Sequence, residues 1–200
     1  MSDTCGRCGQ TIRPNDTITV SGVGERCYRC FNEEMSARVG VAFDNTPLDP
    51  IVLADHDGVL RTFAIQSMLV PTGHAMYAQE VPRRDGGGYR FEVLGDFEAD
   101  AWELFQRLYE KMRREMAARH VEQTEHGWQL TDRDELVGRI AWDEDTDGAT
   151  PVLVVDGKAL TWDEVGRMLM TFEGFSLHAV VKNSIEVVGG PLAEPGDGDY

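Results

Sequence analysis

Beyond residue 30 the chain has no cysteine, and nowhere in its 200 residues does an apolar run approach the length needed to cross a bilayer. Basic residues are scarce. Nineteen Lys and Arg stand against 35 Asp and Glu, a formal net charge of -16. That deficit weighs against nucleic acid as a partner, because phosphate contacts need clustered cations and an anionic protein repels a polyanion at long range. No GxSxG, GxxxxGK or GxGxxG occurs, and His56, His74, His120, His126 and His178 show no HxxxH spacing. No catalytic residue is therefore assigned. Met1-Ser2-Asp3-Thr4 holds neither a basic region nor an apolar run, so no signal peptide is expected and a reducing, cytoplasmic compartment is. What remains, 42% hydrophobic and 27% charged residues, is the composition of a globular chain of one or two domains.

The four cysteines are all at one end. Cys5 and Cys8 form one CxxC pair, Cys27 and Cys30 a second, with eighteen residues between the pairs. Without an oxidising compartment, two disulfides are a poor account of this spacing, whereas four thiolates suit one tetrahedral zinc ion. All four positions are ligands, so the expected site is closed and structural, with no place for an activated water. Gly9 allows the chain to turn back behind Cys8, Thr17-Ile18-Thr19-Val20 alternates with period two, and Gly22-Val23-Gly24 supplies a hairpin turn. From Phe31 to Arg38 the residues favour a helix with acids in its first turn, which puts Cys30 at a helix N-terminus, where the dipole favours a thiolate. Knuckle, hairpin, knuckle and helix together resemble a treble-clef zinc finger. Residues 1–31 carry Arg7, Arg13, Arg26 and Arg29 against three acids, while the rest of the chain holds 15 basic residues against 32 acidic.

The expected organisation is α+β. A finger with its trailing helix spans residues 1–42, a proline-containing linker 43–50, and an acidic body 51–188, with a disordered Gly/Pro/acid tail over 189–200. Within the body, 51–125 is expected to hold four strands and a long helix, and 135–188 further strands and a short helix, the sheet being mostly antiparallel and covered by both helices. Ile51-Val52-Leu53-Ala54-Asp55-His56-Asp57-Gly58-Val59-Leu60 resembles the first motif of the haloacid-dehalogenase phosphatases. That resemblance implies Asp55 as nucleophile, Asp57 as acid/base and a bridging Mg²⁺. Against it, Arg61 to Gln66 alternates like a returning strand, and Asp57-Gly58 is a strong hairpin turn. The hairpin is preferred and the Mg-dependent phosphatase kept as the alternative.

His74 to Val81 reads as a third strand, and Tyr89, Phe91 and Val93 share one face of a fourth. Asp96 is expected to cap a helix from about Glu98 to His120, with Ala101, Leu104, Phe105, Leu108, Met112 and Met116 as its apolar stripe. Leu136, Gly138, Ile140 and Trp142 are expected on one strand face. Asp143 to Gly148 matches the opening of a calcium loop, but its twelfth position is Val154 rather than Glu, so a tight acidic turn is preferred. Pro151 to Val155 is an apolar strand, Thr161 with Glu164 a capping box for a helix from Trp162 to Met170, and Phe175 to Val181 another strand with His178 on its solvated side.

Arg26-Cys27-Tyr28-Arg29-Cys30-Phe31-Asn32-Glu33-Glu34-Met35 is similar to the second knuckle of treble-clef fingers in uncharacterised bacterial proteins. Val155-Asp156-Gly157-Lys158, Trp162-Asp163-Glu164 and Thr171-Phe172-Glu173-Gly174-Phe175 are similar to their C-terminal part. The resemblance implies a shared architecture over most of residues 1–188, Cys5, Cys8, Cys27 and Cys30 as metal ligands, and no activity. The expected function is an intracellular adaptor with one structural zinc, whose finger and acidic body together bind another protein, the finger presenting Arg7, Arg13, Arg26 and Arg29, with a nucleic-acid finger as a further alternative. Neither a membrane nor a particular oligomeric state is indicated.

Overall fold

A computed structural model of the chain describes residues 4–12, 17–20, 22–45, 47–82, 87–143 and 150–188. Strands β1 (Thr17–Val20) and β2 (Gly24–Cys27) pair antiparallel, with Thr17 opposite Cys27, and run directly into helix α1 (Tyr28–Val39). The helix begins three residues earlier than its acidic run implies. Cys27 is therefore its N-cap, Cys30 lies in its first turn, and Glu33 and Glu34 fall beyond that turn. Gly40 ends it in the left-handed conformation (φ 75°) that a glycine adopts without a Cβ clash.

After a stretch without helix or strand, β3 (Ile51–Ala54), β4 (Leu60–Val70), β5 (Gly73–Val81) and β6 (Arg90–Gly95) follow as consecutive antiparallel neighbours. The Asp57-Gly58 hairpin forms as expected, with Ala54 opposite Leu60. Gly73 is needed for a close approach. A Cβ there would lie 2.0 Å from the Gly95 carbonyl oxygen. Alternation sets Phe63, Ile65, Met76, Ala78, Phe91 and Val93 on one face, and helix α2 (Ala101–Met116) covers it with Leu104, Leu108, Met112 and Met116. These recur at every fourth residue, the narrowest apolar stripe that still spans four turns. Asp100, not Asp96, caps the helix, accepting from the Trp102 and Glu103 amides at 2.9 and 3.0 Å. Ala101 is exposed, and Lys111 is buried on the apolar side instead. Because Leu108 is wholly enclosed, Leu108→Ala is expected to cost about 2–5 kcal/mol through lost transfer energy and the cavity left behind. Urea unfolding should show that loss as a lower midpoint with an unchanged slope.

The remainder builds a second core. A hairpin absent from the expectations, β7 (Val121–Thr124) and β8 (Gly127–Leu130), precedes an antiparallel sheet of β9 (Arg139–Ala141), β10 (Val152–Val155) and β11 (Lys158–Leu160), with β10 central. Helix α3 (Trp162–Leu169) carries the expected Thr161/Glu164 capping box, and its Val165 and Met168 pack with Val121, Val155 and Leu160. The two helices therefore serve two separate cores rather than covering one sheet. The expected face of Leu136, Gly138, Ile140 and Trp142 is not a core face. Leu136 packs against this core, but only residues 139–141 form strand and Ile140 and Trp142 are exposed, the core being filled from β7, β10, β11 and α3.

Phe175 to Val181 alternates like a strand but forms none. A ladder needs a neighbouring backbone, and these residues have no strand partner, with Phe175 76% and Val181 82% exposed. The chain pairs again only at β12 (Glu186–Val187), which lies parallel to β6 and completes a five-stranded sheet in the order β12-β6-β5-β4-β3. Among the described residues no helix is long and apolar enough to cross a membrane. The acidic turn after Asp143, the tail at 189–200, and Arg13 lie outside the described residues.

Candidate metal centre

Local backbone geometry brings the cysteines together. The Gly9 amide donates to the Cys5 carbonyl and the Cys5 amide to that of Gln10, both at 2.9 Å, closing the first CxxC into a tight loop. The Gly6 amide donates to the Glu25 carbonyl at 3.0 Å and fastens this loop to β2. The end of β2 and the first turn of α1 then supply Cys27 and Cys30.

The four sulfurs all lie within 4.8 Å of one another, and those of Cys8 and Cys27 are 4.0 Å apart. A four-coordinate ion bonded to sulfur at about 2.3 Å sets its sulfurs about 3.8 Å apart, whereas a disulfide needs about 2.05 Å. The cluster therefore fits a metal ion, and the cysteines are unpaired covalently. The thiols also differ in acidity. Burial pushes the Cys27 thiol up, and Cys30 up to about 12. At Cys5 burial acts in the same direction but is outweighed by backbone amides of Cys8, Cys27 and Arg7, and the thiol falls to about 6. Adjacent thiols without a cation compete for negative charge, and a bound cation removes that competition by deprotonating its ligands.

The finger's arginines are engaged within it. Arg7 donates to the Cys30 carbonyl at 2.6 Å and lies 3.6 Å from Glu33, which also approaches Arg29 at 3.9 Å. Arg29 donates to Gln10 as well, and Arg26 to the Glu25 carbonyl. Arg7, Arg26 and Arg29 thus brace the centre, with Arg7 and Arg29 still about half exposed.

Asn32, which nothing in its sequence context marks, joins finger to body. Its side chain is 2% exposed, donates to the Ser67 carbonyl and accepts from the Leu69 amide, both at 3.0 Å. The pair of bonds treats β4 as a neighbouring strand would.

Asp55 accepts from the Asp57 and Val59 amides at 3.0 and 2.9 Å, closing the hairpin turn, and from Arg61 at 2.8 and 2.9 Å. Arg61 also reaches Glu80 at 3.1 Å. Burial alone would raise the Asp55 carboxyl, but the Val59 amide and Arg61 outweigh it and hold it below its ordinary value. Asp57 is half-exposed beside His56. The strand after this turn returns antiparallel instead of entering a helix, so the two aspartates have the hairpin role. Two histidines have partners that the sequence did not reveal. His74 is buried against Ser67 (2.6 Å) and the Ala99 carbonyl, with burial lowering its pKa, and His120 lies 3.0 Å from Asp156.

The protein is thus an α+β chain with a four-cysteine cluster able to hold a metal ion at its N-terminal end. Three family models, each described as a domain of unknown function, match it in succession: DUF7685 over residues 4–42, DUF7686 over 44–117 and DUF7713 over 120–186. No curated protein and no solved structure matches it.

Proposed function

We propose that this is an intracellular adaptor in which one zinc ion, held by Cys5, Cys8, Cys27 and Cys30 in a treble-clef finger, fixes the N-terminal end, while the body binds another protein. Zinc is favoured over other ions by an all-sulfur donor set at a CxxC–CxxC spacing, and four protein ligands leave no coordination position for substrate or water. The observation that carries the binding role is the run from residue 175 to 181, which pairs with no strand and in which Phe175, Leu177, Val180 and Val181 are exposed. Four large apolar side chains left exposed within seven residues of a folded chain are where a partner is expected. Arg7, Arg26 and Arg29, engaged by Glu33 and by backbone carbonyls, take a bracing role in place of the partner-facing one their charge implies.

Elemental analysis should find one zinc per chain; iron, or no metal, removes the first half of the proposal. For the second half, the wild-type chain and a Phe175→Ser/Leu177→Ser/Val181→Ser variant serve as baits in extracts of the native cell. The variant is expected to lose the partner and keep its fold. Equal recovery by both baits means that this segment is not the binding face, and partners released by nuclease point to nucleic acid.

A further inference from the structure

A cleft of about 540 Å³ lies where the residues of the second family match meet those of the third. Its walls are β6, the C-terminal half of α2, β9 and the Asp156–Gly157 turn, and Ser184 closes one side on the way to β12. The volume falls inside the range of about 300–1,000 Å³ typical of small-molecule sites.

The charge of the lining is unlike that of the whole. In a chain of net charge -16, the cleft gathers Arg90, Lys111, Arg114 and Arg139 with His120, against three acids, Glu92, Glu115 and Asp156. Asp156 is fully committed. Its Oδ2 accepts from the His120 and Val121 amides at 2.8 and 3.0 Å, and its Oδ1 lies 3.0 Å from His120 Nδ1. This pairing sets Nδ1 as the protonated nitrogen and leaves Nε2 for other partners. Arg114 reaches Glu186 at 3.2 Å at the outer end, and Arg139 donates to the Gly88 carbonyl at 3.4 Å.

Lys111 is the decisive residue. It is 5% exposed, and its ammonium donates to two backbone carbonyls, that of Glu92 at 3.1 Å and that of Ser184. No carboxylate among the described residues comes within 4.0 Å of it. An ammonium carries three donors; two backbone carbonyls take two of them, and Glu115, whose charge interacts with Lys111 from beyond contact distance, does not close the third, so an anion placed there would complete it. Lys111 lines a cleft whose other cations are Arg90, Arg114 and Arg139 and whose lining includes the half-exposed Val137 and Ile140.

We propose that this cleft binds a small organic anion, a phosphate monoester or a carboxylate on a flat apolar body. The anionic group would sit against Lys111, Arg114 and Arg139, and the body against Val137 and Ile140. This is a site separate from the cysteine cluster and from the exposed apolar residues Phe175 to Val181, although Ser184, further along that segment, forms one of its walls.

Calorimetric titration of the full zinc-loaded chain at low ionic strength, with phenyl phosphate and with benzoate as probes, tests it. At least one probe should bind saturably at one per chain, and inorganic phosphate should bind more weakly because it lacks the body. Lys111→Met should weaken binding at least about tenfold, the scale of losing one charge-assisted contact, and Arg139→Gln should weaken it less. Preference for phenyl phosphate assigns a phosphate group to the ligand, and preference for benzoate a carboxylate. If Lys111→Met fails to fold, as judged by circular dichroism, Arg139→Gln and Arg114→Gln carry the comparison. No saturable heat with either probe up to about 10 mM, beyond the weak end of specific affinities, overturns the site and leaves Lys111 as a clamp on residue 184 alone. Equal affinity in the wild type and every folded variant overturns it too.

Discussion

Cys27→Ser is expected to release the metal and unfold residues 4–42 while the sheet and α2 stay folded. Among the described residues, the finger's own buried cluster is Cys5, Ile12 and Cys30, with Cys27 packed against it. So small a core does not fold a segment of this length unaided, and structural zinc sites in isolated finger peptides supply about 10–16 kcal/mol of apparent folding energy. The body has its own core of eleven buried residues from the sheet and α2. Trp102, Trp128, Trp142 and Trp162 all lie outside the finger, so tryptophan emission reports the body alone. The expected signature is lost metal and lost helical ellipticity with an unchanged emission spectrum. A variant that keeps its metal and its α1 ellipticity would show that the four sulfurs are not what folds this end.

Arg61→Met is the second change with a large expected effect. Its guanidinium is the shared counter-ion of Asp55 and Glu80, which are 7% and 4% exposed, and removing one partner of a buried ion network costs about 3–5 kcal/mol because charge is left uncompensated. The pH dependence should change as well. In the wild type the Asp55 carboxyl is held below its ordinary value, so it contributes stability that is present above the unfolded-state pKa of 3.8 and is lost as pH falls through the lower folded value. Without Arg61, burial acts on Asp55 with less opposition, its pKa rises, and the penalty should shrink on acidification. Urea midpoints measured from pH 8 to pH 4 check this. A variant whose deficit is constant across that range would mean that Asp55 is not the uncompensated charge.

The parts legible in the sequence were those whose signal is local. The CxxC pairs, the Asp57-Gly58 hairpin, the alternation of Tyr89, Phe91 and Val93, and the Thr161/Glu164 capping box each depend on residues a few positions apart, and all four appear in the structure. Helix ends were harder. Asp96 and Asp100 are both plausible caps, and only the backbone decides that Asp100 reaches the Trp102 and Glu103 amides. Phe175 to Val181 misled because alternation records the capacity to form a strand, while pairing depends on whether a neighbouring backbone is offered. Lys111 was hidden for the opposite reason. A cation on the apolar side of a helix violates the period, and the carbonyls of Glu92 and Ser184 that hold it are 19 and 73 residues away. Asp55, Arg61 and Glu80 were visible as charges but not as a network, since the sheet register that gathers them is set over the whole of β4.

Asn32 has a wider consequence than joining two parts of the chain. β3 pairs with β4 only as far as Phe63, so among the described residues no strand lies on that side from Ala64 to Val70, and the Asn32 amide occupies the Ser67 carbonyl and Leu69 amide there. An uncovered strand edge is a template on which a second chain can add, the first step of aggregation. Folding of the finger, and hence its metal, is thereby coupled to colloidal behaviour. A metal-starved population would carry the same body with a bare sticky edge, and would be withdrawn from solution by self-association.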